Sequence, residues 1–321
     1  MYPRDERGEM ESSMKTAFLF SGQGAQYPGM GKDLYENYDS AKAVFDSIAM
    51  DFDVKKLCFE GPKEQLDDTQ YTQVAIFAHA MAAAAVLKEE GVHADVTAGL
   101  SLGEYGALCY AGCFGVCAGA KILRERGKLM ANALPAGTTA MAAVLMLDKE
   151  AILNACEAVK SIGVCEIANY NCPGQIVITG EKAAVEACGE KCLEAGARRV
   201  IPLQVSGAFH SSLLEEAGKQ LHQVLSEYEL KTPRIPVLHN ISAAVADRPL
   251  IELLSEQISH SVLLEDTIKN MLADGVDTFI EVGPGKAISG FVKKCAKGMD
   301  VKILHVEDTA SLAETLEYMK G

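Results

Sequence analysis

The pentapeptide Gly99-Leu100-Ser101-Leu102-Gly103 joins an apolar run over 92–100, which reads as a strand, to a helical pattern over 103–111. G-x-S-x-G between a strand and a helix is a nucleophile elbow, a turn so sharp that the serine is pushed to its apex. Gly99 and Gly103 leave room where side chains would collide with that turn. The following helix aims its first N–H groups at the serine and favours an oxyanion developing there. Ser101 is therefore the candidate covalent nucleophile of an acyl-transfer enzyme. The Leu102 N–H is the natural first donor of an oxyanion hole.

The pattern around the elbow predicts an α/β fold. Residues 15–21 read as a buried strand ending in Gly-Gln-Gly, and helical patterns follow over 33–50, 72–90 and 116–134. Alternating strands and helices argue for a parallel sheet covered on both faces. From Pro135 the rhythm changes to strand 138–147, helix 149–160, strand 164–170, strand 174–179, helix 182–195 and strand 198–205. That β-α-β-β-α-β order is ferredoxin-like. The chain then returns to the larger unit near Ser206, with a helix over 213–230 and strands over 236–240 and 278–282. Gly283-Pro284-Gly285 turns it into a last helix. The expectation is a hydrolase-like parallel-sheet core, 15–134 and 206–321, carrying an inserted ferredoxin-like βαββαβ subdomain over 135–205. Residues 1–14 are expected to be a tag-like or disordered arm.

Composition narrows the function. A chain of 321 residues can build a large unit and a small one, and 49% hydrophobic with 23% charged residues is ordinary for a globular protein. A net charge of −14 argues against a nucleic-acid partner. No apolar run approaches the ~20 residues that span a bilayer, and residues 80–87 read as a buried helix. The polar first residues are no secretory signal. Ten cysteines without a C-x-x-C pair then suggest a reducing cytoplasm. Cys109, Cys113 and Cys117 recur at i, i+4 and i+8 on one helical stripe; small residues packing against a sheet explain such a stripe more often than a metal does. No metal site is expected.

A serine nucleophile needs a base within hydrogen-bond reach. His79 and His222 fall within helical patterns, and His93 lies in a polar turn. His239, His260 and His305 stay open by pattern. His210, in the small-residue loop Val205-Ser206-Gly207-Ala208-Phe209-His210-Ser211, is a narrow favourite. Arg126 shares a helical face with Ile122, Leu129 and Met130, whereas Arg124 lies on another face with Lys121 and Lys128. Arg126 thus points inward, where a cation is costly unless paired. Its partner is either a protein carboxylate or a substrate carboxylate, which arginine's planar fork suits.

Together these segments resemble the malonyl-CoA:acyl carrier protein transacylases and the acyltransferase domains of polyketide synthases. The motifs follow in family order from about Lys15 to Gly321: Phe20-Ser21-Gly22-Gln23-Gly24-Ala25-Gln26, then Gly99-Leu100-Ser101-Leu102-Gly103-Glu104-Tyr105, then Arg126-Gly127-Lys128. Asn171-Cys172-Pro173-Gly174-Gln175, the His210 loop and Glu281-Val282-Gly283-Pro284-Gly285-Lys286 complete the series. The resemblance implies Ser101 as nucleophile, His210 as base and Arg126 as clamp for the malonyl carboxylate. It implies the Gln23 N–H as second oxyanion donor and the Gln257 carbonyl as the group orienting the histidine. Leu100 stands where the family usually has histidine, Ser21 where it has proline, and Val262-Leu263-Leu264 near where it has tryptophan. Leu100 and Phe209 are expected to wall the acyl pocket, with Phe209 filling the space an α-methyl group would need.

The implied reaction passes malonyl from malonyl-CoA through a Ser101 ester to the phosphopantetheine thiol of acyl carrier protein, in fatty-acid synthesis. No cofactor, membrane or nucleic acid is implied, and the expected enzyme is a cytoplasmic monomer. Lys191, Arg198, Arg199, Lys286, Lys293 and Lys294 are candidate contacts for an acidic carrier. The rival readings are a serine esterase or thioesterase, which would hand the acyl group to water, an acyltransferase of a polyketide pathway, and a non-catalytic loading subunit.

Overall fold

The protein is described by a computed structural model that covers residues 14–205 and 207–321. Residues 1–13 of the expected arm, and Ser206 at the expected return point, lie outside the described residues. Among the described residues eight strands form two sheets: β1 (Thr16–Phe20), β2 (Val96–Gly99), β3 (Thr139–Leu145), β4 (Cys165–Cys172), β5 (Gln175–Glu181), β6 (Arg199–Pro202), β7 (Thr278–Val282) and β8 (Lys302–Val306).

The first sheet, in the order β2-β1-β7-β8, is wholly parallel. Its central strands β1 and β7 are buried at every residue, as an apolar run covered by helices on both faces must be. The register pairs Phe20 with both Gly99 and Val282. The C-terminal ends of three neighbouring strands therefore finish level, and the loops leaving them meet at one edge, where open α/β sheets bind ligands. Ser21 uses the N–H that a proline would lack, donating to Val282 O at 3.2 Å.

The second sheet, in the order β4-β5-β3-β6, is antiparallel throughout. With helices Lys149–Ala158 and Lys182–Glu194 it forms the expected ferredoxin-like βαββαβ unit. Period-two alternation divides its side chains between two cores. Ala142, Val144, Ile167 and Ile178 pack beneath the two helices, while Met141, Ala143, Ala168 and Val177 join the core of the larger unit. Val262 ties the sheets together: its side chain packs in the core formed with Ala17, Leu19 and Phe279 of the parallel sheet, while its main chain accepts from Tyr170 N at 2.9 Å and donates to Ala168 O at 2.8 Å.

Several elements differ from the sequence reading. The pattern over 33–50 is two helices, Lys32–Asn37 and Asp39–Ser47, broken where Tyr38 is extended. The pattern over 213–230 is a 3₁₀ turn, Ser212–Leu214, followed by helix Glu215–Leu225. Residues 236–240 make only an isolated bridge, Val237 to Thr97. The last segment contains β8 between helices Ala287–Cys295 and Thr309–Lys320, where one helix was expected. As a half-buried edge strand, β8 gives a weak pattern. The apolar stretch around 80–87 belongs to a 21-residue helix, Thr69–Glu89, whose length and composition would suit a membrane. This corrects the expectation that no such stretch exists. The helix is the central core helix, with 83% of its most apolar window buried inside the protein.

The elbow depends on its glycines. A Cβ on Gly99 would fall 2.0 Å from Gly103 C, and one on Gly103 would fall 2.2 Å from Phe20 O. Both obstacles are backbone and cannot rotate away. Gly99→Ala is expected to lower unfolding free energy by about 3 kcal/mol or more. A urea midpoint within error of the parent would contradict that account.

Candidate active site

Ser101 sits at φ 54°, a left-handed conformation that costs a non-glycine residue about 1–3 kcal/mol unless its surroundings impose it. They do. Ser101 N donates to Asn240 Oδ1 at 2.8 Å, and Ser101 O accepts from Gln257 Nε2 at 3.0 Å. Held on both sides, the side chain places Oγ 2.8 Å from His210 Nε2.

His210 lies 2.8 Å through Nδ1 from the carbonyl oxygen of Gln257. A carbonyl can only accept, so Nδ1 carries the proton and Nε2 presents its lone pair to the serine hydroxyl. The tautomer a general base needs is thus fixed by main chain. Burial, reinforced by the Arg126 guanidinium, pushes His210 down from 6.5 to about 4. The folded protein keeps this imidazole neutral between those values, whereas the unfolded chain takes up a proton. His210 therefore contributes stability that is present above pH 6.5 and is lost as pH falls through about 4. The acid limb of the acylation rate is expected near pH 4. A limb near 6.5 in stopped-flow measurements would show that the histidine is not shielded.

Arg126 is fully buried. Its Nη1 donates to Gln73 Oε1 at 2.7 Å, and its Nη2 donates to Gln257 Oε1 at 2.8 Å and to Ser101 Oγ at 3.1 Å. Its Nε has no partner, and among the described residues no carboxylate bonds to it. Burial lowers its affinity for its proton, the cost of holding a cation away from water. Arg124 makes the contrast. The helical-face argument put it on a polar side, yet it is 7% exposed, because Asp51 accepts from its Nε at 2.9 Å and its Nη2 at 2.8 Å. Two buried arginines stand two positions apart, and only Arg124 bonds a carboxylate.

Among the described residues, neither Gln23 N nor Leu102 N donates to another protein group. Both residues line a cavity of about 140 Å³ together with Leu100, Ser101, Phe209 and His210. Met141, Asn169 and Val177 of the antiparallel sheet close its far side. The expected serine, base, oxyanion donors and pocket walls are therefore brought together, with Arg126 and Gln257 directly beneath the serine. The six other histidines make no hydrogen bond to Ser101, and His79, for one, bonds Glu307 O at 2.8 Å.

Sequence reasoning missed the support under the elbow. Glu104, 1% exposed, bonds His239 Nδ1 at 2.5 Å, Asn240 N at 3.0 Å and Gln257 Nε2 at 2.8 Å. This one carboxylate fixes the residues that hold Ser101 on either side. Its signal was an acidic residue three places after the serine on an otherwise apolar helix. Gln73 and Asn240, far away in sequence, gave none. Cys109, Cys113 and Cys117 do not form a stripe, because the chain turns between helices Gly103–Tyr110 and Val116–Asn132.

An elbow serine bonded to a histidine, beside a buried and unpaired arginine at the rim of a parallel sheet, defines an α/β acyltransferase. The family model described as the acyl transferase domain matches residues 17–310. The malonyl CoA-acyl carrier protein transacylase of Bacillus subtilis is 42% identical over 311 residues, covering 95% of this chain and 98% of that one. The crystal structure of the same-named protein from Clostridium perfringens superposes with a TM-score of 0.92 at 42% identity, over 95% and 97% of the two chains. A malonyl-transacylase solved in complex with a type II polyketide synthase acyl-carrier protein superposes with a TM-score of 0.91 at 35% identity, over 95% and 99%. The chain belongs to the acyl transferase family, among the malonyl CoA-acyl carrier protein transacylases.

Proposed function

We propose that this enzyme moves malonyl from malonyl-CoA to the phosphopantetheine thiol of acyl carrier protein, through an ester on Ser101. The observation that carries the choice of malonyl is Arg126, a buried cation to which no carboxylate bonds among the described residues and whose Nη2 lies 3.1 Å from the nucleophilic oxygen. A dicarboxylic acyl group supplies the missing charge at the distance where its thioester meets Ser101. The bidentate fork then orients it.

In the first half-reaction His210 Nε2 takes the Ser101 proton as Oγ attacks the thioester carbonyl. The oxyanion is received by the N–H groups of Leu102 and Gln23. Collapse expels CoA, which leaves with the proton held by His210. In the second, the carrier thiol gives its proton to His210 and attacks the ester, and Ser101 recovers its hydrogen. Acyl moves between oxygen and sulfur without redox change, so the reaction calls for no cofactor.

The uncharged orienter of His210 favours this reading over an esterase. A thiol such as that of cysteine ionises at about 8.5, whereas water needs about 15.7, so a weak base serves a thiol far better than it serves water. We place the enzyme in the cytoplasm as a monomer serving fatty-acid synthesis, and assign 15–134 with 206–321 to a large subdomain and 135–205 to a small one. The ten cysteines, all free, fit a reducing compartment. Leu100 and Phe209 are assigned to the acyl pocket, and exposed Lys286, Lys293 and Lys294 to carrier docking.

The test is intact-mass spectrometry after incubation with a panel of acyl-CoAs, followed by addition of holo carrier protein. A malonyl adduct that persists alone and discharges onto the carrier is expected. Rapid CoA release without carrier would favour the esterase, and no adduct would overturn covalent transfer.

A further inference from the structure

Away from the serine, three buried thiols converge inside the ferredoxin-like unit. Cys156 Sγ lies 3.7 Å from Cys188 Sγ and 4.0 Å from Cys165 Sγ, and all three sulfurs lie within 4.8 Å of one another. They come from separate elements: helix Lys149–Ala158, the first residue of β4, and helix Lys182–Glu194. The geometry points to a site for a soft, thiophilic divalent cation of the zinc type, bound by Cys156, Cys165 and Cys188.

A tetrahedral ion about 2.3 Å from each thiolate holds its sulfurs about 3.8 Å apart. The Cys156 distances already fall near that edge length, so closing the triangle needs only side-chain adjustment. A disulfide could engage only two of these thiols, whereas a cation can be bonded by all three. Access exists as well. Cys156 and Cys165 line a cavity of about 630 Å³ that also reaches Glu157, Glu166 and Lys160. The fourth position is left to a ligand entering from that cavity. Binding releases the three S–H protons to solvent and changes no oxidation state. The ion would pin both helices to β4, the strand whose Asn169 and Asn171 wall the acyl cavity. Its role is structural, and the Ser101 chemistry does not pass through it.

The experiment titrates the reduced, desalted full-length protein with Co²⁺ under anaerobic conditions. One equivalent is expected to produce a thiolate-to-cobalt charge-transfer band with tetrahedral d–d bands, and Zn²⁺ should displace both and raise Tm. Cys188→Ala is expected to weaken Zn²⁺ binding by more than the about tenfold that losing even an outer-sphere partner costs. Cys58→Ala, a buried thiol elsewhere, should leave the spectrum unchanged. A parent protein without the charge-transfer band overturns the site however the variants fold. So does a band that survives Cys188→Ala, or a Cys156–Cys188 disulfide in protein that takes up no metal.

Discussion

Arg126→Ala is expected to lower malonyl transfer about 30- to 5,000-fold, equivalent to about 2–5 kcal/mol, while acetyl transfer from acetyl-CoA holds or improves. The asymmetry follows from burial. Without the guanidinium, the malonyl carboxylate would lose its water and gain no counter-charge, whereas an acetyl group brings no charge to satisfy. The substitution also frees the Gln73 and Gln257 side-chain oxygens that Arg126 now satisfies. Each orphaned acceptor costs about 1–3 kcal/mol. Removing a buried cation that has no carboxylate offsets this, so Tm should change little. Steady-state kcat/KM for the two donors, read beside Tm, checks the assignment. Equal losses with both acyl groups would reject Arg126 as the carboxylate clamp.

Ser101→Ala is expected to abolish the acyl adduct and cut transfer by about 10⁶-fold, the size of loss that removing a serine nucleophile brings. Ser101→Gly separates chemistry from strain. At φ 54° glycine pays no Cβ penalty, so this variant should be equally inactive yet up to about 1 kcal/mol more stable than Ser101→Ala. Intact mass and urea unfolding measure the two effects independently. An adduct remaining on Ser101→Ala would move the nucleophile elsewhere.

The elements legible in the sequence were those whose physics is local. The elbow announced itself through two glycines whose Cβ positions are filled by backbone, and the ferredoxin-like unit through the β-α-β-β-α-β order of its strand and helix patterns. Helical spacing found Arg126. It misjudged Arg124, because periodicity reports a face and Asp51 covers that face from another part of the chain. Edge strand β8 was missed for want of a buried stripe. The framework of Glu104, His239, Asn240 and Gln73 was invisible for a different reason. Those residues matter through contacts 53 to 153 positions apart in the chain, and nothing in any one segment marks them. The Gln257 carbonyl came only from family resemblance, since a main-chain oxygen has no sequence signature.

That last point bears on how such a site can vary through time. Three of the groups the proposed chemistry uses, the N–H of Gln23, the N–H of Leu102 and the carbonyl of Gln257, belong to the main chain. Only a change to proline deletes either N–H, and no point mutation deletes the carbonyl. Short of proline, substitution reaches these three groups only by displacing the backbone, so their tolerance is inherited from the rigidity of the sheet edge. The side chains there are freed for other work, as when Gln257 Nε2 reaches Glu104. Genetic fragility is concentrated in Ser101, His210 and Arg126, and saturation mutagenesis should find these three intolerant while Gln23 and Leu102 accept any residue other than proline that keeps the turn.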